Sequence, residues 1–250
     1  MSHQGPFLLE IRLEAENLEE SRQGYNALYE QTSLSQIDSF YLWLMKNLRL
    51  PTQGRLLDVA CGAGEVVRLA GQHGLQAVGL DLSEVVARSA AQRVKPYASI
   101  GVSRGENIPF ASESFDFVTN IGSLEHFDDP AKGVREMVRV LKPGGKAFIL
   151  VPNTFSLLTN VWHAMRTGET SADNQPVQRY GARADWVYLL ESNGLKVTQT
   201  IKYERPWPYR VSDWGYYLRR PKELLRLLVA PLVPLNLAFC FLFICEKKPG

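Results

Sequence analysis

Three cysteines in 250 residues are too few and too scattered for a disulfide framework or a zinc site. Cys61, Cys240 and Cys245 are odd in number and lack metal-ligand spacing, so a reduced, cytoplasmic setting is the expectation. Charge of one sign is also missing. The formal net charge is +2, which selects neither nucleic acid nor an acidic partner. Residues 1–30 are rich in glutamate and carry no apolar core segment, so no secretory leader is expected there. The uncharged run Leu227 to Cys245 is interrupted by Pro231, Pro234 and Asn236, which argues against a bilayer span. Repeats and low-complexity tracts are absent. What is present is 45% apolar residues, enough for one generous core.

The chain is organised around Arg55 to Asp81. Arg55 to Ala60 is a short apolar run of the length a buried parallel strand needs. It closes on Asp58 and the small residues Cys61-Gly62-Ala63-Gly64, where a backbone can turn sharply and a ligand can approach. Val66, Val67, Leu69 and Ala70 follow at helical spacing, and Gly74 stands where a helix C-cap belongs. Gln76 to Leu80 is a second apolar strand delivering Asp81 to its end. A glycine turn into a helix N-terminus, with an acid ending the next strand, suits a nucleoside whose ribose hydroxyls need an acceptor.

Strand and helix keep alternating as far as Val151. Ser83 starts a helix to about Val94, and Tyr97 to Val102 is a third strand. Arg104 to Phe110 is a loop by its glycine and proline. Ser114 to Ile121 is a fourth strand, Asp128-Asp129-Pro130 begins a helix, and Lys146 to Val151 is a fifth strand after a Pro-Gly-Gly turn. This predicts an α/β fold, a mostly parallel sheet with helices on both faces. Residues 1–16 read as a loose leader, 18–50 as helical with a break near Ser33 or Ser35, and 154–180 as irregular and partly helical. The last helix and strands are expected at 182–192, 195–203 and 237–246. The division is a helical cap over 1–50 and a core over 51–250, with an insertion at about 204–236.

These residues together resemble the class I S-adenosylmethionine-dependent methyltransferases, in the ubiquinone/menaquinone-type small-molecule branch. Leu56 to Gly64 matches the first motif, Val78 to Ser83 the second, Phe115 to Pro130 the fourth-strand motif, and Leu141 to Asn153 the turn and strand that follow. A nicotinamide dehydrogenase is disfavoured, because Val67 stands where the third glycine of a dinucleotide fingerprint would sit. The resemblance implies a Rossmann-like, seven-stranded sheet of order 3-2-1-4-5-7-6. It implies S-adenosyl-L-methionine as cofactor and S-adenosyl-L-homocysteine as product. Asp58, Cys61, Gly62 and Gly64 then face the methionine part, Asp81 takes the ribose and Leu82 packs on the adenine. Gly105 and Glu106 lie at the adenine edge, and Asn120 and Ile121 lie under the sulfonium region. Arg104 departs from the family pattern, which often has an adenine-accepting Asp there.

The same resemblance implies methyl transfer to a small, apolar or prenylated acceptor, at oxygen or carbon. A non-catalytic scaffold and an aminopropyl transferase are alternatives on the same fold. His126 is the candidate general base, following the fourth strand. Gly122 stands where related metal-dependent enzymes have the first acid of an E-x-x-E-H motif, so no metal set is assigned. Trp162, His163 and Tyr180 are further candidates for the acceptor pocket. Residues 202–226 interleave Lys and Arg with Trp207, Tyr209, Trp214, Tyr216 and Tyr217 beside the apolar run. That composition suits peripheral membrane contact or a cover over an apolar acceptor better than nucleic acid. The oligomeric state is left open.

Overall fold

The computed structural model describes residues 9–12, 20, 23–24, 36–171 and 175–249. In chain order the elements that matter are β1 (Leu9–Arg12), α1 (Asp38–Leu48), β2 (Arg55–Val59), α2 (Glu65–Gln72), β3 (Gln76–Asp81), α3 (Glu84–Val94), β4 (Ala98–Val102) and β5 (Phe115–Ile121). Then come α4 (Pro130–Val140), β6 (Leu141–Pro152), α5 (Trp162–Thr167), β7 (Val177–Tyr180), α6 (Arg183–Ser192), β8 (Leu195–Tyr203), α7 (Val211–Leu218), α8 (Pro221–Val229) and β9 (Cys240–Lys247).

The apolar runs stack as the alternation predicts. The main sheet has the order β4-β3-β2-β5-β6-β9-β8. Counting only its own strands in chain order, this is 3-2-1-4-5-7-6, the expected arrangement. Neighbours from β4 to β6 run parallel, and β9 is antiparallel to both β6 and β8. The C-terminal ends of β2, β3, β5 and β6 therefore open on one edge, where ligands of such sheets sit. One face is packed by Val134, Met137, Trp186 and Leu190 from α4 and α6. The other buries Val67 and Ala70 of α2, Val94 of α3, and Phe40, Leu44 and Leu48 of α1. Fully burying such apolar side chains contributes roughly 1.5–3 kcal/mol each, so α1 is held by the same core as the sheet.

Local signals account for most boundaries. Ser83 caps α3 by accepting from Val86 N at 3.3 Å. Asp129 caps α4 by accepting from Lys132 N at 2.9 Å, with Pro130 in the first turn. Three expectations change. Leu9–Arg12 is not a loose leader: it pairs antiparallel with Val177–Tyr180, inside the stretch read as irregular. Two four-residue strands far apart in sequence carry no local signature strong enough to announce each other. The last strand begins at Cys240, because Leu235–Leu237 forms a single 3-10 turn after Pro234. β6 begins at Leu141, which pairs with Phe115 across an irregularity in register. The break near Ser33 or Ser35 lies outside the described residues.

Candidate functional site

A single cavity of about 860 Å³ follows the open edge of the sheet. Asp81, Leu82 and Arg104 stand at one end. Asp58, Cys61 and Gly62 line it from the close of β2 and the turn after it, Ile121 and His126 from the end of β5 and the turn that follows, and Asn153, Tyr180, Arg205 and Phe239 from the close of β6, from β7, from beyond β8 and from just before β9. Its size falls in the range of small-molecule sites, about 300–1,000 Å³.

The first end is built by the turn after β2. Gly64 has φ 78°, and a Cβ there would lie 2.7 Å from Val94. Gly64 therefore lets α2 pack against α3. It is not among the residues that line the cavity, although Ala63 and Glu65 on either side of it are. Asp81 holds this turn: its carboxylate accepts from Gly62 N at 2.8 Å and from Ser83 N at 2.9 Å. Burial raises its pKa, while those amides work to lower it. Asp58 is buried at the end of β2 and accepts from the Thr119 hydroxyl at 2.6 Å. Burial, assisted by the nearby Asp81 charge, pushes its carboxyl up to about 7 against the Thr119 bond. Burial also lifts the Cys61 thiol well above its ordinary range, so Cys61 is a small wall residue and not a nucleophile.

Further along, Glu106 spends its carboxylate on the chain. It accepts from Asp128 N at 2.9 Å and Asp129 N at 3.3 Å. Arg104 lies 2.9 Å from Asp128 and 3.5 Å from Glu106. The loop after β4 is thus tied to the loop after β5. Gly105 is needed for that junction as well as for lining the cavity. The Phe127 ring lies so close that a Cβ on Gly105 would fall 2.2 Å from it, and one on Gly133 2.4 Å. Gly105→Ala is expected to cost about 1–3 kcal/mol through overpacking. A lower urea midpoint with an unchanged m-value checks this, and an unshifted midpoint would contradict the sandwich.

Asn120 is not among the residues that line the cavity. It is fully buried and donates to Val59 O at 2.9 Å, bracing β5 against β2. Alternation explains this, since its strand neighbour Ile121 points the other way and does line the cavity.

His126 lies on a 3-10 turn, Leu124–His126, directly after β5. Its Nδ1 contacts the Val177 carbonyl, which can only accept, so Nδ1 carries a proton. Nε2 stands 3.6 Å from Glu125 Oε1. β7 holds this turn a second way. Arg179, almost fully buried, donates to the Phe127 carbonyl and to Asp128 O at 2.9 Å, and pairs with Glu10 of β1 at 2.8 Å. Arg179 and Arg205 both line the cavity and neither was singled out from the sequence. Their placement depends on long-range packing of β7 and of the insertion. Among the other candidates Tyr180 lines the cavity, whereas Trp162 and His163 do not, and Trp162 is exposed.

Residues 57–149 match the family model described as a methyltransferase domain. The 2-phytyl-1,4-naphtoquinone methyltransferase of Thermosynechococcus vestitus is 31% identical over 178 residues, 67% of this chain and 76% of that protein. The chain belongs to the class I S-adenosylmethionine-dependent methyltransferases, in their ubiquinone/menaquinone-type branch. The ubiquinone/menaquinone biosynthesis C-methyltransferase of Geotalea daltonii is 33% identical over 135 residues, 50% of this chain and 57% of that relative. The chain thus spans little more than half the length of that methyltransferase. A structure of an S-adenosylmethionine-dependent methyltransferase from Mesorhizobium loti shares the fold, with TM-score 0.60 and 17% identity over 83% of this chain and 98% of that one.

The donor set fits the cofactor of this methyltransferase family. With two amides on its carboxylate, Asp81 keeps acceptor capacity for the two hydroxyls of a ribose. A buried carboxyl poised near neutrality, Asp58, is the group that a cationic ammonium or sulfonium would ionise.

Proposed function

We propose that the protein transfers the methyl group of S-adenosylmethionine to a ring hydroxyl, or to the carbon beside it, of a small apolar or prenylated aromatic acceptor. One observation carries this reading. His126, oriented by the contact of its Nδ1 with the Val177 carbonyl, stands on the wall of the same cavity that contains the Asp81 and Gly62 cradle. When bound, the cofactor supplies an already activated methyl group, so the protein has chiefly to position, desolvate and deprotonate.

The chain's own residues supply those tasks. His126 Nε2 takes the proton of the acceptor hydroxyl, and the Glu125 carboxylate at 3.6 Å stabilises the imidazolium that forms. Removing that proton raises electron density on the oxygen and on the adjacent ring carbon, so one base serves either product. The acceptor's apolar portion meets Phe40, Tyr203, Phe239 and Cys240. Burial raises the Tyr203 phenol far above its ordinary value, so it remains neutral and behaves as an apolar wall. Support for a prenylated ring also comes from the relative named for a phytyl naphthoquinone.

The test is methyl transfer from labelled S-adenosylmethionine to a short-chain prenylated naphthohydroquinone, followed by extraction of the lipid product. His126→Ala is expected to lower kcat about 10²- to 10³-fold while cofactor affinity changes less than about twofold. Cofactor binding with no transfer to this acceptor or to its unprenylated analogue would favour a non-catalytic scaffold.

A further inference from the structure

The insertion between β8 and β9 has its polarity inside out. In α7 the exposed residues Val211, Trp214 and Leu218 recur at i, i+3 and i+7. From α8 into the turn after it, Leu225, Leu228 and Leu232 repeat the same spacing and are 62%, 62% and 81% exposed. A surface helix ordinarily turns such a stripe toward the core.

The acids of the insertion face inward. Residues 205–236 contain two, Asp213 and Glu223. Asp213 is buried, accepting from Ser39 N at 3.0 Å and from the Ser39 hydroxyl. Glu223 pairs with Arg205 at 2.5 Å and Arg226 at 2.7 Å. The remaining cations, Arg210, Arg219, Arg220 and Lys222, are exposed beside the apolar stripes. Arg210 stands 3.5 Å from the exposed Asp38. Trp207 and Trp214 meet edge to face at 5.8 Å, and both are exposed.

The same segment is joined to the cavity. Arg205 lines it, and Arg226 donates to Leu158 O at 2.8 Å, in the turn that supplies Thr159 and Asn160 to the wall. Phe155, Trp162 and Met165 flank that turn and are exposed. An apolar and cationic rim therefore borders the acceptor end.

We infer that α7 and α8 are a docking surface for an anionic lipid membrane, set so that a lipophilic acceptor passes from the bilayer to the cavity. The choice of occupant rests on charge. The outward face offers apolar side chains to the acyl boundary and cations to negative headgroups, with its own two acids withdrawn. A protein partner burying the same stripes would have no need of that segregation. No described helix is long and apolar enough to cross a membrane, so the contact is peripheral. The entry route rests on the proposed acceptor, whereas the docking itself does not.

Vesicle sedimentation tests it, using phosphatidylcholine alone and phosphatidylcholine with phosphatidylglycerol at about three to one. The protein is expected to bind the anionic vesicles at least about tenfold more tightly than the neutral ones. Leu225→Ser with Leu228→Ser and Leu232→Ser, and separately Arg219→Glu with Arg220→Glu, are each expected to weaken that binding at least about tenfold. All five positions are exposed, so the melting temperature and S-adenosylhomocysteine affinity are expected to stay put. Leu227 is left alone because it is buried. No binding to anionic vesicles, or binding that neither variant weakens, overturns the inference. So does a dimer in light scattering that the leucine variant dissolves. Vesicle binding without methyl transfer would sink the proposed reaction and leave the docking surface standing.

Discussion

Asp81→Ala is expected to weaken S-adenosylhomocysteine binding at least about 100-fold. Two hydroxyls donating to a carboxylate are hydrogen bonds to a charged group, worth about 1.5–3 kcal/mol each. Losing both removes about 3 kcal/mol or more, and every 1.4 kcal/mol is about tenfold. The substitution also strips the acceptor from Gly62 N and Ser83 N, so the turn that presents the cradle loosens. Asp81→Asn is the milder change, although its NH2 must face one of the two turn amides. It keeps the shape and one acceptor oxygen, and a smaller loss of about tenfold is expected. Isothermal calorimetry reads both affinities, with thermal melts to confirm folding. An affinity within about threefold of the parent for Asp81→Ala would remove Asp81 from the nucleoside site.

The second large effect is a pair of opposed pH dependences centred on Asp58. Its carboxyl titrates near 7 in the folded chain, against an ordinary value of 3.8. Between those values the folded state holds a proton that the unfolded state has released. Stability of the ligand-free protein therefore falls as pH rises through that window and levels off above about 7. Cofactor affinity runs the other way. A cationic ligand favours the ionised carboxylate, so binding expels a proton below about 7. Affinity for S-adenosylmethionine is expected to climb by up to about tenfold per pH unit and then flatten. Asp58→Asn is expected to flatten both curves. Melting and calorimetry from pH 5 to 8 measure them, about the range where buried carboxyls and histidines titrate. Parallel rather than opposed slopes would show that another group governs both.

The part of the candidate site proposed for the nucleoside came together as one unit because its residues are local. Asp58, Gly62 and Asp81 fall within one strand-turn-helix-strand unit, where period, turn chemistry and strand ends are all short-range signals. Within that unit, what misled was the facing of single residues. Gly64 is packed against Val94 and the Asn120 side chain is spent on the Val59 carbonyl, a matter of alternation and close packing that a motif does not encode. The acceptor half was less legible. Arg179 reaches the His126 turn through a strand pair linking residues 9–12 to 177–180. Arg205 reaches the cavity through its ion pair with Glu223. Composition did mark 202–226 as basic and aromatic, yet only the fold shows that its acids turn inward and its leucines outward.

The one cavity is thus written in two different ways along the chain. Its cofactor end comes from the contiguous block that the family model covers, residues 57–149. The proposed acceptor end adds to the His126 turn of that block scattered pieces around α1, β7, the close of β8 and the start of β9. Even the first half does not move alone, because its β6 is paired along β9 and its Phe127 and Asp128 carbonyls are held by Arg179. The second cannot be moved by grafting any one segment. A chimera meant to change the acceptor has to carry the Glu10–Arg179 clasp and the Ser39–Asp213 tie together with the walls they hold.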